Sequence, residues 1–338
     1  MKNTPFLYIN CIIPVLFIFS CTQTIQQNNT ALLTLSNHVD TSKVIASFDQ
    51  SSPGGNTSVA NDHDVIFKWS GHSPYPSSGF GYFTSEGMEI AYVKRDRDLG
   101  QTFTITDKNT QNLASITLRL GFGDNVVRPG MYGQHLSLQL FEVKGERVLN
   151  NNGSDTTMNA FHGYPHNRYQ QTIPHDRDDF FEGIEFETIA VVRGFKFPEK
   201  EAFGFEKDEA IDPDHPKLKG KYLNFYLPEK HQIQLEPGKA YAFLVMIDSL
   251  GHDHGFTLGN LMHGHYPGGH GIRREGFGIF PPVTASPNVD FDHPENAEAV
   301  KTSLFPSDFS ERIKISPGTN GYPDVDTWRD LEFYIRKR

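Results

Sequence analysis

Short runs in which apolar and polar residues alternate recur along the chain from about residue 65 onward. An apolar side and a polar side alternate with period two in residues 116–120, 136–140, 223–227 and 331–335. This alternation predicts antiparallel strands with one face against a core and the other toward solvent. Residues 240–247 are apolar on both sides, which predicts a central strand, and Leu-Glu-Pro-Gly at 235–238 predicts a turn before it.

Long helices are not expected, because no segment carries a sustained apolar repeat of 3.6 residues. The pattern predicts an all-β protein, an antiparallel β-sandwich of the jelly-roll type with long loops. The segments without a strand signal are residues 150–155, 158–183, 199–219 and 251–317. Loops of such length in a compact domain are commonly functional or disordered, so we expect the chemistry of the protein there.

The first 21 residues have the pattern of an export signal. Lys2 is followed by an apolar run over residues 6–19, which is too short and too interrupted for a transmembrane helix. The run ends at Ile18-Phe19-Ser20-Cys21, which resembles the bacterial lipobox. The resemblance implies that Cys21 is lipidated and anchors the mature protein to the outer membrane, at the cell surface or on the periplasmic face. An ordinary cleaved signal peptide is the alternative.

The chain divides into three predicted parts. Residues 1–21 form the lipoprotein signal peptide. Residues 22–64 are rich in Ser, Thr, Asn and Gln without periodicity, which predicts a flexible tether. Residues 65–338 form one β-sandwich domain. Cys11 and Cys21 are the two cysteines of the chain, so the mature protein lacks an intramolecular disulfide and depends on its core for stability.

Composition narrows the classes of partner. A net charge of −10 argues against nucleic acid and against a broad electrostatic grip on any polyanion. The 30 Gly and 21 Pro together with 27 Phe and 13 Tyr suit many short strands joined by turns. The 15 His are more informative by their clustering than by their number.

Several phrases in the expected order resemble a class of exported bacterial jelly-roll modules found in carbohydrate-active and surface-anchored proteins. They are residues 99–104 (LGQTFT), 115–120 (SITLRL), 138–143 (LQLFEV), 235–243 (LEPGKAYAF), 266–269 (YPGG) and 330–333 (DLEF). The resemblance covers roughly residues 80–338. It implies the fold and a surface lipoprotein of a polysaccharide-utilisation system. It does not decide between glycan-binding modules, anchoring domains and enzymes.

Histidine, tyrosine and arginine are concentrated in two of the predicted loops. The first cluster contains His263, His265, Tyr266, His270, Arg273 and Arg274, and the second contains His166, Arg168 and Tyr169. A single histidine in a glycine-rich turn more often bonds to local backbone than acts in catalysis. The density of three residue types together is what makes these clusters candidates.

One hypothesis is β-elimination on a uronate-containing polysaccharide or oligosaccharide. That reaction needs a base with a pKa near neutrality, an acid for the leaving oxygen and a cation that neutralises the carboxylate. We assign the base to His263, His265 or His270 and the partner to Tyr266 or Tyr169. The carboxylate clamp is assigned to Arg273, Arg274 or Arg168, and His166 extends the site. Such an enzyme would be a carbon–oxygen lyase, either a polysaccharide lyase or an oligosaccharide dehydratase.

A second hypothesis is glycan binding without catalysis. Sugar binding uses aromatic faces and planar polar groups, and Trp69, Tyr75 and Trp328, with Tyr266, are the aromatic candidates. Both tryptophans lie next to predicted strands, where packing against the core is an equally good explanation. An envelope anchoring or assembly protein is a third, structural interpretation.

Metal binding has weaker support. His252 with His254, and His263 with His265, form His-x-His pairs, and Asp253 and Glu275 are near in sequence, but the spacing fits no familiar zinc signature. Asn and Asp at 151–155 and 212–214 offer oxygens for calcium without a complete ligand pattern. No cofactor is therefore assigned, with calcium the one candidate. The preferred function is elimination, and the alternative is a surface lipoprotein that captures polysaccharide for partner enzymes.

Overall fold

The structure is a computed structural model. It describes residues 30–53, 57–61, 82–84, 87–89, 96–150, 180–262, 266–275, 308–317, 325–326 and 329–338. In this part of the chain nearly all regular structure is antiparallel β-strand. The predicted all-β antiparallel sandwich is confirmed. The jelly-roll connection of its strands stays a prediction.

Two sheets form the sandwich. The smaller sheet has the order β1 (Leu32–Ser36), β10 (Tyr222–Tyr226), β7 (Gln111–Arg119), β18 (Phe333–Lys337), β2 (Val44–Phe48), and β11 (Gln234–Leu235) also pairs with β7. The larger sheet has the order β13 (Gly255–Leu258), β3 (Thr57–Asn61), β6 (Asp96–Thr104), β12 (Ala240–Ile247), β8 (His135–Asn150), β9 (Phe180–Lys196). Strand β15 (Gly271–Glu275) pairs with β6, and β16 (Val325–Asp326) pairs with β15.

Smaller elements complete the described chain. Two further antiparallel pairs are β14 (Asn260–Met262) with β17 (Arg329–Leu331) and β4 (Tyr82–Thr84) with β5 (Gly87–Glu89). One α-helical turn, α1 (Phe309–Arg312), and 3-10 turns at Pro129–Met131, Lys200–Phe203 and Glu229–His231 are the helical elements of the described residues. Among those residues no helix is long and apolar enough to cross a membrane.

The core lies between the two sheets, where the period-two pattern places its apolar side chains. Ile116 and Leu118 of β7 and Phe225 of β10 are fully buried. From the larger sheet, Phe103 and Phe243 pack against Phe333 of β18 at ring-centroid distances of 6.4 and 6.0 Å. Strand β12, apolar on both faces, is central between β6 and β8, as its composition predicts.

The sandwich begins earlier in the chain than predicted. Strands β1, β2 and β3 lie within residues 22–64, the predicted tether, and each pairs with strands of the main sheets. The sandwich therefore includes strands from Leu32 onward, which lie in the part of the chain that the sequence assigned to the tether. The strands are only five residues long, and their Ser and Thr residues hide the alternation that longer strands show.

The two ends of the larger sheet differ. At the start of β8, residues 120–134 and 197–221 close the sandwich, and Val126, Met131 and Phe197 belong to the buried core there. At the other end β12 pairs with β8 only over residues 136–143, whereas β8 and β9 stay paired as far as Asn150 and Phe180. The pair formed by β8 and β9 therefore extends beyond the end of β12 by the seven residues 144–150, about 23 Å at roughly 3.3 Å per residue.

Candidate functional site

Four of the predicted site residues lie in the described part of the chain. They are Tyr266, His270, Arg273 and Arg274. The candidates outside the described residues are His263, His265, His166, Arg168 and Tyr169 for catalysis, Trp69, Tyr75 and Trp328 for glycan binding, and Cys21 for lipidation. Predictions for those residues stay predictions. The four described residues all belong to β15 or to the turn just before it.

The turn over residues 266–270 is fixed to the sheet by main-chain and side-chain hydrogen bonds. The Tyr266 N–H donates to Asp330 at 2.9 Å, and the Thr104 hydroxyl donates to the Gly268 carbonyl at 2.9 Å. The Thr102 N–H donates to the His270 carbonyl at 2.8 Å. The turn therefore belongs to the rigid scaffold rather than to a free loop.

Gly269 lets this turn approach β6 closely, and Gly268 leaves room for the Tyr266 hydroxyl within the turn. A Cβ on Gly269 would lie 2.0 Å from the Thr102 carbonyl oxygen, and one on Gly268 would lie 2.5 Å from the Tyr266 hydroxyl. Both distances are far inside van der Waals contact, so neither position accepts a side chain without movement of the turn. The geometry of this turn therefore requires glycine at both positions.

His270 is placed on the outer face of the larger sheet by the alternation along β15. It lies beside Thr102, and Ile272 and Arg274 follow it on the same face opposite Gly100 and Asp98. Thr102 Oγ1 accepts from the His270 N–H at 2.8 Å and lies 3.2 Å from His270 Nδ1. The imidazole is 7% exposed. A hydroxyl on Nδ1 fixes the ring orientation, as an orienting group does for a functional histidine.

Tyr266 points into the core instead. Its ring lies 5.2 Å from that of Phe333 and 5.8 Å from that of Phe48, centroid to centroid. Burial raises the pKa of the phenol to about 12. A phenol with that pKa stays protonated at neutral pH, so the position anchors the turn against the core.

The two arginines face opposite sides of the larger sheet. Arg273 pairs with Leu99 and is 1% exposed on the inner side. Arg274 is on the outer side, where Nη2 lies 2.7 Å and Nε 2.9 Å from the Asp98 carboxylate. Burial lowers the pKa of Arg274, and the Asp98 carboxylate acts in the opposite direction. Arg274 was predicted to bind the carboxylate of a substrate, but its guanidinium already binds the carboxylate of Asp98.

The outer face of the larger sheet carries a polar network that the sequence pattern did not predict. Arg274 Nη1 donates to Gln139 Oε1 at 3.0 Å, and Gln139 Nε2 donates to the Thr188 hydroxyl at 2.8 Å. Arg312 Nε lies 3.7 Å from Asp98. The available signal was polar residues inside apolar strands, Asp98 and Gln139 among them, because a polar residue at a buried strand position needs a partner.

A second polar network occupies the outer face of the smaller sheet. The Glu332 carboxylate accepts from Arg119 Nη1 at 3.0 and 3.2 Å, from Tyr222 OH at 3.2 Å and from Ser51 Oγ at 2.5 Å. Tyr334 OH lies 3.4 Å from the same carboxylate. Every partner but Ser51 comes from a strand of that sheet, and Ser51 closely follows β2.

In the His252 and His254 pair before β13, His254 has a local structural role. His254 is 8% exposed, its Nδ1 lies 3.0 Å from the Ser249 carbonyl oxygen, and its ring covers Gly251. Among the described residues no group of three His, Cys, Asp or Glu side chains could hold a metal ion. In the 212–214 segment, Asp212 accepts from the Asp214 N–H at 2.9 Å, and Asp214 accepts from the Asn125 N–H.

Comparisons of the chain with protein-family models, with curated proteins and with solved structures find no match. The assignment of a function therefore depends on the geometry of the sandwich and its turn.

Proposed function

We propose that this protein is a carbohydrate-binding lipoprotein of the bacterial envelope that captures polysaccharide through the end of the larger sheet beside the 266–270 turn. The observation that carries the proposal is the position of His270, whose ring is oriented by Thr102 within a turn that packs closely against β6 at Gly269. Binding sites are commonly built from loops that a rigid β-scaffold holds in place.

The described neighbours of His270 favour binding over elimination. Tyr266 is directed into the core with a pKa of about 12, which does not suit an acid or base near neutrality. Arg274 is paired with Asp98, so its charge is already neutralised. A net charge of −10 disfavours a polyanionic ligand. A neutral polysaccharide, bound through hydroxyl groups, is the ligand class that these features favour.

Elimination on a uronate-containing glycan is the second candidate function. It is favoured by His270 itself, because a base together with a hydroxyl that orients it is the arrangement that general-base catalysis uses. In this alternative the acid and the carboxylate-binding groups come from the remaining predicted residues. Export and lipid attachment at Cys21 belong to both candidate functions.

One experiment tests both candidates. Protein lacking residues 1–21 is run in native gels that contain neutral or uronate polysaccharides, and the same mixtures are followed for the ultraviolet absorbance of unsaturated products. We expect retardation by a neutral polysaccharide without new absorbance, and loss of retardation in His270→Ala. The matched control is His254→Ala, which removes an equally buried histidine from another turn and should leave retardation unchanged.

Two results would redirect the assignment. A rise in absorbance on a uronate substrate that His270→Ala abolishes would establish elimination. Retardation that is equal in the wild type and in His270→Ala would remove His270 from the site.

A further inference from the structure

Residues 308–317 lie across the outer face of the larger sheet without joining it as a strand. The segment contains α1, which is capped by Asp308, and its Ser310, Glu311 and Lys314 are exposed. Phe309 and Ile313 are only partly buried, against a small apolar cluster that includes Leu244, Met246 and Ile272. We call residues 308–317 the strap.

Three side-chain-to-carbonyl hydrogen bonds and the ion pair between Arg312 and Asp98 attach the strap to the sheet. Gln139 Nε2 donates to the Ile313 carbonyl at 2.9 Å, and Arg274 Nη1 donates to the Ile315 carbonyl at 2.8 Å. In the other direction, Arg312 Nη2 donates to the Ile247 carbonyl at 2.5 Å. The first two bonds place strap carbonyl oxygens where the oxygens of a ligand could be bound.

The sheet keeps its own polar network when these bonds are removed. Arg274 keeps its bonds to Asp98 and to Gln139 Oε1, and Gln139 Nε2 keeps its bond to the Thr188 hydroxyl. A single helical turn has no stability of its own in water. Arg312 is 1% exposed in the closed position, and its hydration on release offsets part of the lost contact. From these features we expect the strap to open locally, below the free energy of global unfolding.

The surface beneath the strap has the chemistry of a sugar site. A carboxylate, a carboxamide and a guanidinium, from Asp98, Gln139 and Arg274, stand beside an apolar floor of Leu244 and Ile272. Planar polar groups next to apolar surface are what hydroxylated rings require. Because Asp98 already neutralises Arg274, the surface suits an uncharged saccharide better than a uronate.

His270 lies on the same face of the sheet, where His270 and Ile272 are themselves buried, 7% and 1% exposed. His270 and Arg274 are four residues apart along the same face of β15, a separation of about 13 Å at roughly 3.3 Å per residue. We propose that the outer face around Asp98, Gln139 and Arg274 is a binding surface for a neutral saccharide chain, and that the strap covers this surface and is displaced by the chain. This inference rests on the proposed function at His270 for its ligand.

The first test needs no ligand. Hydrogen exchange is measured on the wild-type protein for the strap amides of Ile313, Lys314 and Ile315, which are bonded within the strap, and for amides of β12. We expect strap exchange at least about 100-fold faster than that of β12, as local opening gives. Equal exchange of the two regions would show that the strap opens only on global unfolding and would overturn the proposal.

The second test measures competition. Phe309→Ala removes an apolar contact of the strap without touching Asp98, Gln139 or Arg274, and Lys314→Ala changes an exposed residue of the same strap as the control. With cellohexaose and mannohexaose as neutral probes and a galacturonate hexamer as the acidic probe, we expect Phe309→Ala to bind a neutral probe about tenfold more tightly than Lys314→Ala. A tenfold gain follows when the open population rises tenfold.

The outcomes separate this inference from the function on which it rests. Binding of a neutral probe by the wild type with no gain in Phe309→Ala, while the variant keeps its thermal transition, would overturn the strap and leave the proposed function standing. Fast strap exchange with no neutral probe bound by either variant would contradict saccharide binding under the strap and the proposed function together. If Phe309→Ala unfolds, the exchange measurement on the wild type still decides whether the strap opens.

Discussion

Asp98 on the larger sheet and Glu332 on the smaller sheet are two buried carboxylates that the fold treats differently. Each is 1% exposed and paired with an arginine. Around Glu332 the partners are strand residues and Ser51, which are fixed parts of the sandwich. Around Asp98 part of the enclosure is the strap, which contributes Arg312. A carboxylate enclosed by strands stabilises the fold, whereas a carboxylate that is enclosed by a segment able to open is also available to a ligand.

The largest effect is expected from Glu332→Ala. The substitution leaves Arg119, Tyr222, Tyr334 and Ser51 without their common acceptor, and we expect a loss of about 4 kcal/mol in the free energy of unfolding. Urea denaturation measures it. The control, Glu236→Ala, removes an exposed partner of Lys239 and should change stability by less than about 0.5 kcal/mol. If Glu332→Ala lowered the free energy of unfolding by less than about 1 kcal/mol, Glu332 would not have the stabilising role assigned to it.

A smaller loss is expected from Asp98→Asn. Arg274 and Arg312 lose their carboxylate, but opening of the strap lets water reach both guanidinium groups. We therefore expect about 2 kcal/mol, below the roughly 3–5 kcal/mol of a permanently buried pair, together with faster exchange of the Ile313 and Ile315 amides. A loss as large as that of Glu332→Ala would make the two carboxylates equivalent and remove the contrast between the sheets.

The smallest effect is expected from Tyr266→Phe, about 1 kcal/mol, because the ring contacts with Phe48 and Phe333 remain. The wild-type phenol has its pKa raised from 10.0 to about 12. Its contribution to stability is therefore full below pH 10 and is lost as the pH rises through about 12. Thermal transitions measured from pH 9 upward should fall less steeply in Tyr266→Phe. Loss of glycan binding in this variant at pH 7 would instead place the hydroxyl in the site.

The strands that the sequence predicts are those whose side chains alternate over a long enough run. Strands β7, β8, β10, β12 and β18 are in this group, since Ile116, Leu138 and Phe225 all fall on the core side of regular alternation. Strands β6 and β9, with 9 and 17 residues, were not predicted from alternation, because the polar Gln101 is buried between Leu99 and Phe103 in β6 and the register of β9 on β8 shifts along its length. Strands β1 to β3 and β13 to β15 were missed because each has only three to five residues. Over so few positions, pairing with neighbours decides the structure more than pattern does.

The candidate site was only partly predictable for a related reason. The sequence singles out the residues from Tyr266 to Arg274, and the structure does place that segment at a rigid turn and strand. The sequence alone does not give the direction of each side chain. That direction follows from the register of β15 on β6, which separates His270 and Arg274 from Arg273. Asp98 and Gln139 come from strands distant in sequence, and only the sheet order brings them together.

The most direct test of the account is the affinity of the protein lacking residues 1–21 for a neutral polysaccharide, measured by native-gel retardation in the wild type, His270→Ala and His254→Ala. Binding at His270 predicts retardation in the wild type and in His254→Ala, and its loss in His270→Ala while the thermal transition is kept. Equal retardation of the three proteins, or none with any neutral polysaccharide, would contradict it.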